Sequence, residues 1–209
     1  MPTQAPPATP TAAPTMAPTP TPTSTPQPTA GPTPSPTPAP TAKPTAAPTP
    51  AAPVADTQAV IPASADANVM ADSPNRNFGR SNLQVRSDDR QAFIRFDVRG
   101  TSTRQITKAV IRVYVTDASA SSGAAYQTAV DWTEKRLTWN RRPDVTGPAL
   151  GRGGTAVVGG YLTYDVTAAD IDDGPVSFVL RAAASDSVVF ASKESDSARR
   201  PELVLTFGP

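Results

Sequence analysis

Residues 106–116 alternate one by one. Ala109, Ile111, Val113 and Val115 fall on one side, and Val110, Arg112 and Tyr114 on the other. A period of two belongs to a strand with one covered face, and no 3.6-residue pattern competes with it. Residues 91–98 repeat the design, with Ile94, Phe96 and Val98 opposing Phe93, Arg95 and Asp97. Shorter runs at 59–61, 65–70, 83–85, 125–130, 156–158, 161–166, 176–182, 188–192 and 202–207 read as further strands. Pro62 is read as the end of the first of them, since proline cannot donate to a ladder. Residues 167–171 have room for one helical turn, and no long amphipathic helix is visible. Strands recurring every ~8–12 residues, with turn formers between them, predict an all-β fold. The expected architecture is an antiparallel β-sandwich of jelly-roll type.

One stretch does not fit the alternation. Residues 131–140, Asp-Trp-Thr-Glu-Lys-Arg-Leu-Thr-Trp-Asn, carry both tryptophans of the chain. Their spacing matches neither a helix face nor a strand face. It reads as a corner: one indole plugs the edge of a core, the chain turns through Glu134, Lys135 and Arg136, and 137–140 re-enter as a strand. Both rings serve as core or rim packing in one reading. In the other, Trp139 is an exposed platform for a sugar ring.

The folded part begins at about Val54. Residues 1–53 contain 19 of the 26 prolines, no aromatic residue, no acid and a single base, Lys43. Such a segment has no apolar surface to bury, so it is expected to be a disordered, extended spacer of polyproline II character. Residues 54–209 make one domain, large enough to bury a core without staples. A Pro/Thr-rich spacer suits a secreted chain in which the domain is tethered to a neighbouring one. The expected location is extracellular or at the cell surface, although the chain opens Met-Pro-Thr-Gln-Ala with no signal sequence.

Composition removes several classes of chemistry. There is no Cys and no His. Thiol nucleophiles, imidazole bases and Cys- or His-ligated metals are therefore excluded. Any bound metal is a hard cation held by oxygen, calcium being the natural choice. Bases and acids balance within 54–209, which argues against nucleic acid as a partner. No apolar run is long enough for membrane insertion by a helix. Glycosidic hydrolysis needs a placed pair of carboxylates, and no motif sets one up. An enzyme is not expected.

Arginine outnumbers lysine 15 to 3 in the domain. Its planar fork pairs two-to-two with a carboxylate, as an acidic glycan requires. Arg95, Arg112 and Arg181 stand mid-strand on outward faces and are expected to form a basic row. Arg141 and Arg142 directly follow Trp139 and Asn140, which puts guanidinium groups beside an indole. Solvated pairing with acids is the plainer use of all of these. Asp66, Asn77 and Glu194 are the candidate calcium ligands, with Asp72 and Asn75 nearby; turn formation is the competing role for Asp and Asn.

Seven stretches, in order, resemble one known family. They are "ADANV" with "SPNRNFGRSNLQV", "AFIRFDV" with "ITKAVIRVYV", "WTEKRLTWNRRP", "YLTYDVT", and "VVFASKESDSARRPELVLTF". Together they are similar to the DNRLRE-type domain, also classed as carbohydrate-binding module family 96, although the naming hexapeptide itself is absent. The resemblance spans about 62–207. It implies a non-catalytic β-jelly-roll in secreted bacterial proteins, with alginate as the associated ligand. The expected function is thus binding of an acidic polysaccharide such as alginate. The alternative is a structural or adhesive stalk domain without glycan affinity.

Overall fold

A computed structural model describes residues 57–208 apart from Asp88 and Ala183. The proline-rich segment 1–53, with the spacer expected there, lies outside the described residues. Ten strands follow in order: β1 Gln58–Met70, β2 Leu83–Val85, β3 Arg90–Val98, β4 Ile106–Asp117, β5 Ala124–Thr128, β6 Gly151–Arg152, β7 Tyr161–Asp165, β8 Gly174–Arg181, β9 Val188–Phe190 and β10 Glu202–Phe207. All pairings are antiparallel. The one helical element among the described residues is a single 3₁₀ turn, Trp139–Arg141. None of the described helices is long and apolar enough to cross a membrane. The all-β antiparallel expectation is met, and the winding is consistent with a jelly roll.

The strands form two layers. One holds β10, β4, β7 and the first half of β1, extended by β9 and β2; the other holds the second half of β1 with β3, β8, β5 and β6. β1 joins them. Residues 58–62 pair with β10, a register shift follows between Ala63 and Ala65, and residues 65–70 pair with β3. Pro62 therefore does not end a strand. The N–H of Ala63 points at β10, bonding the carbonyl of Pro201 at 2.9 Å. Backbone donors alternate in direction, so the nitrogen of Pro62 faces the open edge, where no ladder bond is lost.

The alternating residues meet between the layers. Ile94, Phe96, Val98, Phe178 and Leu180 pack against Ala109, Ile111, Val113, Tyr164, Leu203 and Leu205. Tyr164 is fully buried and keeps its hydroxyl satisfied by donating to the carbonyl of Ser122 at 2.7 Å. Burial pushes its ionisation well above the usual range.

A second, smaller core lies on the outer face of the second layer. Ala65, Ala67, Val69, Phe93 and Val179 are covered there by Trp132 and Leu137, with Trp139 and Val145 at the margin. The tryptophan stretch is thus a lid over one sheet. Its first half behaves as the sequence suggests: Trp132 is buried, and the chain turns through Glu134–Arg136. The expected strand at 137–140 is absent. These residues have no strand beside them; their backbone bonds go to Thr133 and Pro74 instead. Residues 156–158 form only an isolated bridge at Ala156, because Val157 and Val158 are exposed and have no sheet face to fill.

Candidate functional site

Two loops dock against each other at one end of the sandwich. The first, residues 71–82, follows β1; the second is the tryptophan stretch. Asn77 joins them by donating through Nδ2 to the carbonyls of Glu134 (2.6 Å) and Leu137 (2.7 Å). Its Oδ1 accepts the N–H of Gly79 at 3.3 Å. Asn140 adds two bonds, from Nδ2 to Asn75 Oδ1 and from its N–H to the carbonyl of Pro74, both 3.0 Å. Asn77 is thus a clamp, and both polar atoms of its side chain are engaged within the protein.

Beneath the clamp, β1 carries two polar residues on its inner face. Asp66 and Asn68 stand opposite Ile94 and Ala92 and are essentially without solvent contact. Asn68 Oδ1 accepts the N–H of Gln84 (3.0 Å), and Asp66 Oδ2 accepts the N–H of Lys193 (2.7 Å). Asp66 Oδ1 has no hydrogen-bond partner. Burial raises the Asp66 carboxyl to about 7, the Lys193 N–H opposes that shift, and the charges of Glu194 and Glu134 add to it. One carboxylate oxygen from each of Asp66, Glu134 and Glu194 lies within 4.8 Å of the other two. The ammonium of Lys193 sits between the two glutamates, 3.0 Å from Glu134 and 2.5 Å from Glu194. These contacts, with Glu194 foremost, hold the Lys193 pKa above its ordinary value.

Over this cluster opens a groove of 760 Å³, lined by Arg76, Phe78, Arg80, Lys135, Lys193 and Glu194 among others. On the other side of the 133–137 turn lies a smaller depression of 320 Å³, lined by Trp132, Arg136 and Arg141 with Asp131. Arg76, Arg80, Lys135, Arg136 and Arg141 are all exposed. None of these five has an ion-pair partner among the described residues. Arg76 stands 5.0 Å from the centre of the Phe78 ring. The result is a surface with an excess of cations over the acids Glu134, Glu194 and Asp131 that share its lining, with an aromatic ring in it and open to solvent.

The residues expected to bind a ligand are dispersed. Trp139 is half-buried, and the Arg142 guanidinium lies 3.8 Å from its ring centre while donating to its carbonyl. One face of that indole is therefore occupied by protein. Burial first, and the nearby charge of Arg181 second, lower the Arg142 pKa. Arg95 donates to the carbonyl of Trp132 at 2.8 Å, and Arg181 stands 5.7 Å from the Tyr126 ring. Arg112 pairs with Glu202 and lies over Tyr161 in the first layer. The expected basic row through Arg95, Arg112 and Arg181 does not form. Alternation shows that each faces outward, but β4 belongs to one layer and β3 and β8 to the other. Only Arg141 of the six lines one of the two depressions.

Of the expected metal residues, Asp66 and Glu194 do meet. Asn77 stands beside them as the clamp, and Glu134 brings the third carboxylate, a residue that turn-reading alone explains away. Lys193 was also missed; an ammonium between two glutamates has no local sequence pattern. For Arg76 and Arg80 a signal existed: two arginines flank Asn77-Phe78-Gly79 in a loop with no acid after Asp72.

Residues 57–207 match the model of carbohydrate-binding module family 96. No curated protein matches the chain. The matched stretch takes in nearly all of the described residues, both layers and every side chain of the groove, and the chain accordingly belongs to carbohydrate-binding module family 96, whose members bind carbohydrate without catalysing its cleavage.

Proposed function

We propose that this module binds an acidic polysaccharide, a uronate polymer such as alginate, along the two depressions that flank the 133–137 turn. The observation that carries this reading is the set of five exposed cations without ion-pair partners among the described residues, Arg76, Arg80, Lys135, Arg136 and Arg141. Surface arginines are commonly paired with acids of their own sheet, as Arg112 is with Glu202. Five left unpaired around one turn suit a ligand that brings its own carboxylates at regular spacing. Each guanidinium offers two parallel charge-assisted bonds to a carboxylate. Phe78 supplies an apolar surface for the face of a sugar ring. We further read the protein as extracellular or surface-attached, with residues 1–53 tethering the module to a neighbouring domain.

Calorimetry with an oligouronate tests this on wild type and two double variants. Arg76→Ala/Arg80→Ala should weaken binding by roughly tenfold or more, about 1.5–3 kcal/mol for lost charge-assisted bonds. Arg141→Ala/Arg142→Ala should cost less, since Arg142 is stacked on Trp139. Affinity should also fall steeply with salt, because screening shortens from ~8 Å at 0.15 M to ~3 Å at 1 M. Equal affinity in wild type and the Arg76/Arg80 variant would remove the groove from the site. No binding of acidic or neutral glycans by wild type would favour a stalk domain.

A further inference from the structure

We propose that Asp66, Glu134 and Glu194 form a site for a hard divalent cation, with calcium its natural occupant, and that the Lys193 ammonium is a tethered counter-ion which the metal displaces. This proposal does not depend on whether the groove takes a glycan. Acidic clusters are ordinary features of protein surfaces, and three carboxylates near each other would not suffice. Here a second feature points inward to a ligand. Asp66 is fully buried, and its Oδ1 has no hydrogen-bond partner although its carboxylate stands with those of the two glutamates. A buried carboxylate oxygen without a donor is costly. The protein offers a donor to Oδ2, the Lys193 N–H, and none to Oδ1.

The donor set selects the metal. All three ligands are carboxylates, and the chain has no His or Cys to draw a softer ion. Calcium takes 6–8 oxygens in a flexible arrangement and accepts carboxylates in either one-point or two-point mode. Glu134 and Glu194 are partly exposed, so water can complete the shell from the groove. Lys193 already shows that a cation belongs here: its ammonium bonds to both glutamates. It is a single charge at the end of a flexible stem and can swing into the groove. A divalent ion at the same place would meet all three carboxylates at once. It would also link three parts of the chain that are distant in sequence: β1, the turn in the tryptophan lid, and the segment after β9.

The test uses the full chain freed of metal with a chelator and titrated with calcium chloride. Wild type should bind one ion saturably and melt at a higher temperature when loaded. Lys193→Met, which removes the competing ammonium, should bind at least tenfold more tightly and regain in calcium any stability lost in chelator. Asp66→Asn should not bind; it can still accept the Lys193 N–H through Oδ1, so the fold is expected to survive. Should that variant fail to fold, Glu194→Gln gives the same readout from an exposed position, with affinity reduced at least tenfold. An absence of calcium binding in both wild type and Lys193→Met would overturn the site. Binding of equal strength in those two proteins would overturn the displacement of Lys193, and unimpaired binding in Asp66→Asn or Glu194→Gln would overturn the ligand assignment.

Discussion

Trp132→Ala is expected to lower the stability of the domain by about 3–5 kcal/mol, the usual range for a large aromatic removed from a core. Trp132 is only 5% exposed. Its ring meets Phe93 edge-to-face, with centres 6.1 Å apart and planes at 71°. Its Nε1–H donates to Ser177 Oγ at 2.8 Å, inside the sheet face that the lid covers. Truncation opens a cavity above Phe93 and Val179 and strips a buried hydroxyl of its donor. Trp132→Phe separates the two losses: it keeps a ring but not the hydrogen bond, and should cost about 1–2 kcal/mol. Trp139→Ala should cost less than Trp132→Ala, since Trp139 is half-buried and held at the margin of the same cluster. Urea unfolding with an unchanged m-value is the measurement. A larger loss at Trp139 than at Trp132 would mean that the lid is anchored the other way round.

That ordering was not legible in the sequence, while much of the sandwich was. β3 and β4 announce themselves by strict alternation, and their inner faces are the ones the pattern names. Phe93 is instructive. Alternation places it on the outside of β3, and so it is, yet it is fully buried because the tryptophan lid lies over it. A two-residue period reports which residues share a face, not what lies above that face. The lid itself has no period, since its residues are chosen to fit a surface, and the 3₁₀ turn at Trp139 replaces the strand that 137–140 suggested. The arginine row failed for a related reason: Arg112 and Arg95 face outward equally, but from different layers. Two of the three clustered carboxylates, Asp66 and Glu194, were visible. The exchange of Asn77 for Glu134 could not be foreseen, because it depends on the Asn77 side chain reaching 57 residues along the chain to hold the Glu134 carbonyl.

Gly79→Ala should cost about 3 kcal/mol through that same junction, a drop of roughly 6–12 °C in Tm for a domain of this size. A Cβ at Gly79 would stand 2.7 Å from the carbonyl oxygen of Glu134 and 2.8 Å from its Cγ. No such contact is tolerable, and the carbonyl cannot retreat freely because Asn77 Nδ2 holds it at 2.6 Å. One of the two must yield: the loop 71–82 moves away, or the turn carrying Glu134 does. Either movement takes Arg76 and Arg80 out of register with Lys135 across the groove and carries the Glu134 carboxylate away from Asp66 and Glu194. The variant should therefore lose calcium and oligouronate affinity together, beyond its loss of stability. A double-mutant cycle isolates the cause. Asn77→Ala alone is destabilising, because two carbonyls lose their donor, but it releases the Glu134 carbonyl to move. In that background Gly79→Ala should cost clearly less than it does in wild type, with a coupling of about 1–2 kcal/mol. Costs that simply add, within about 0.5 kcal/mol, would show that Gly79 and the Asn77 clamp act independently, and the steric account of this junction would then be wrong.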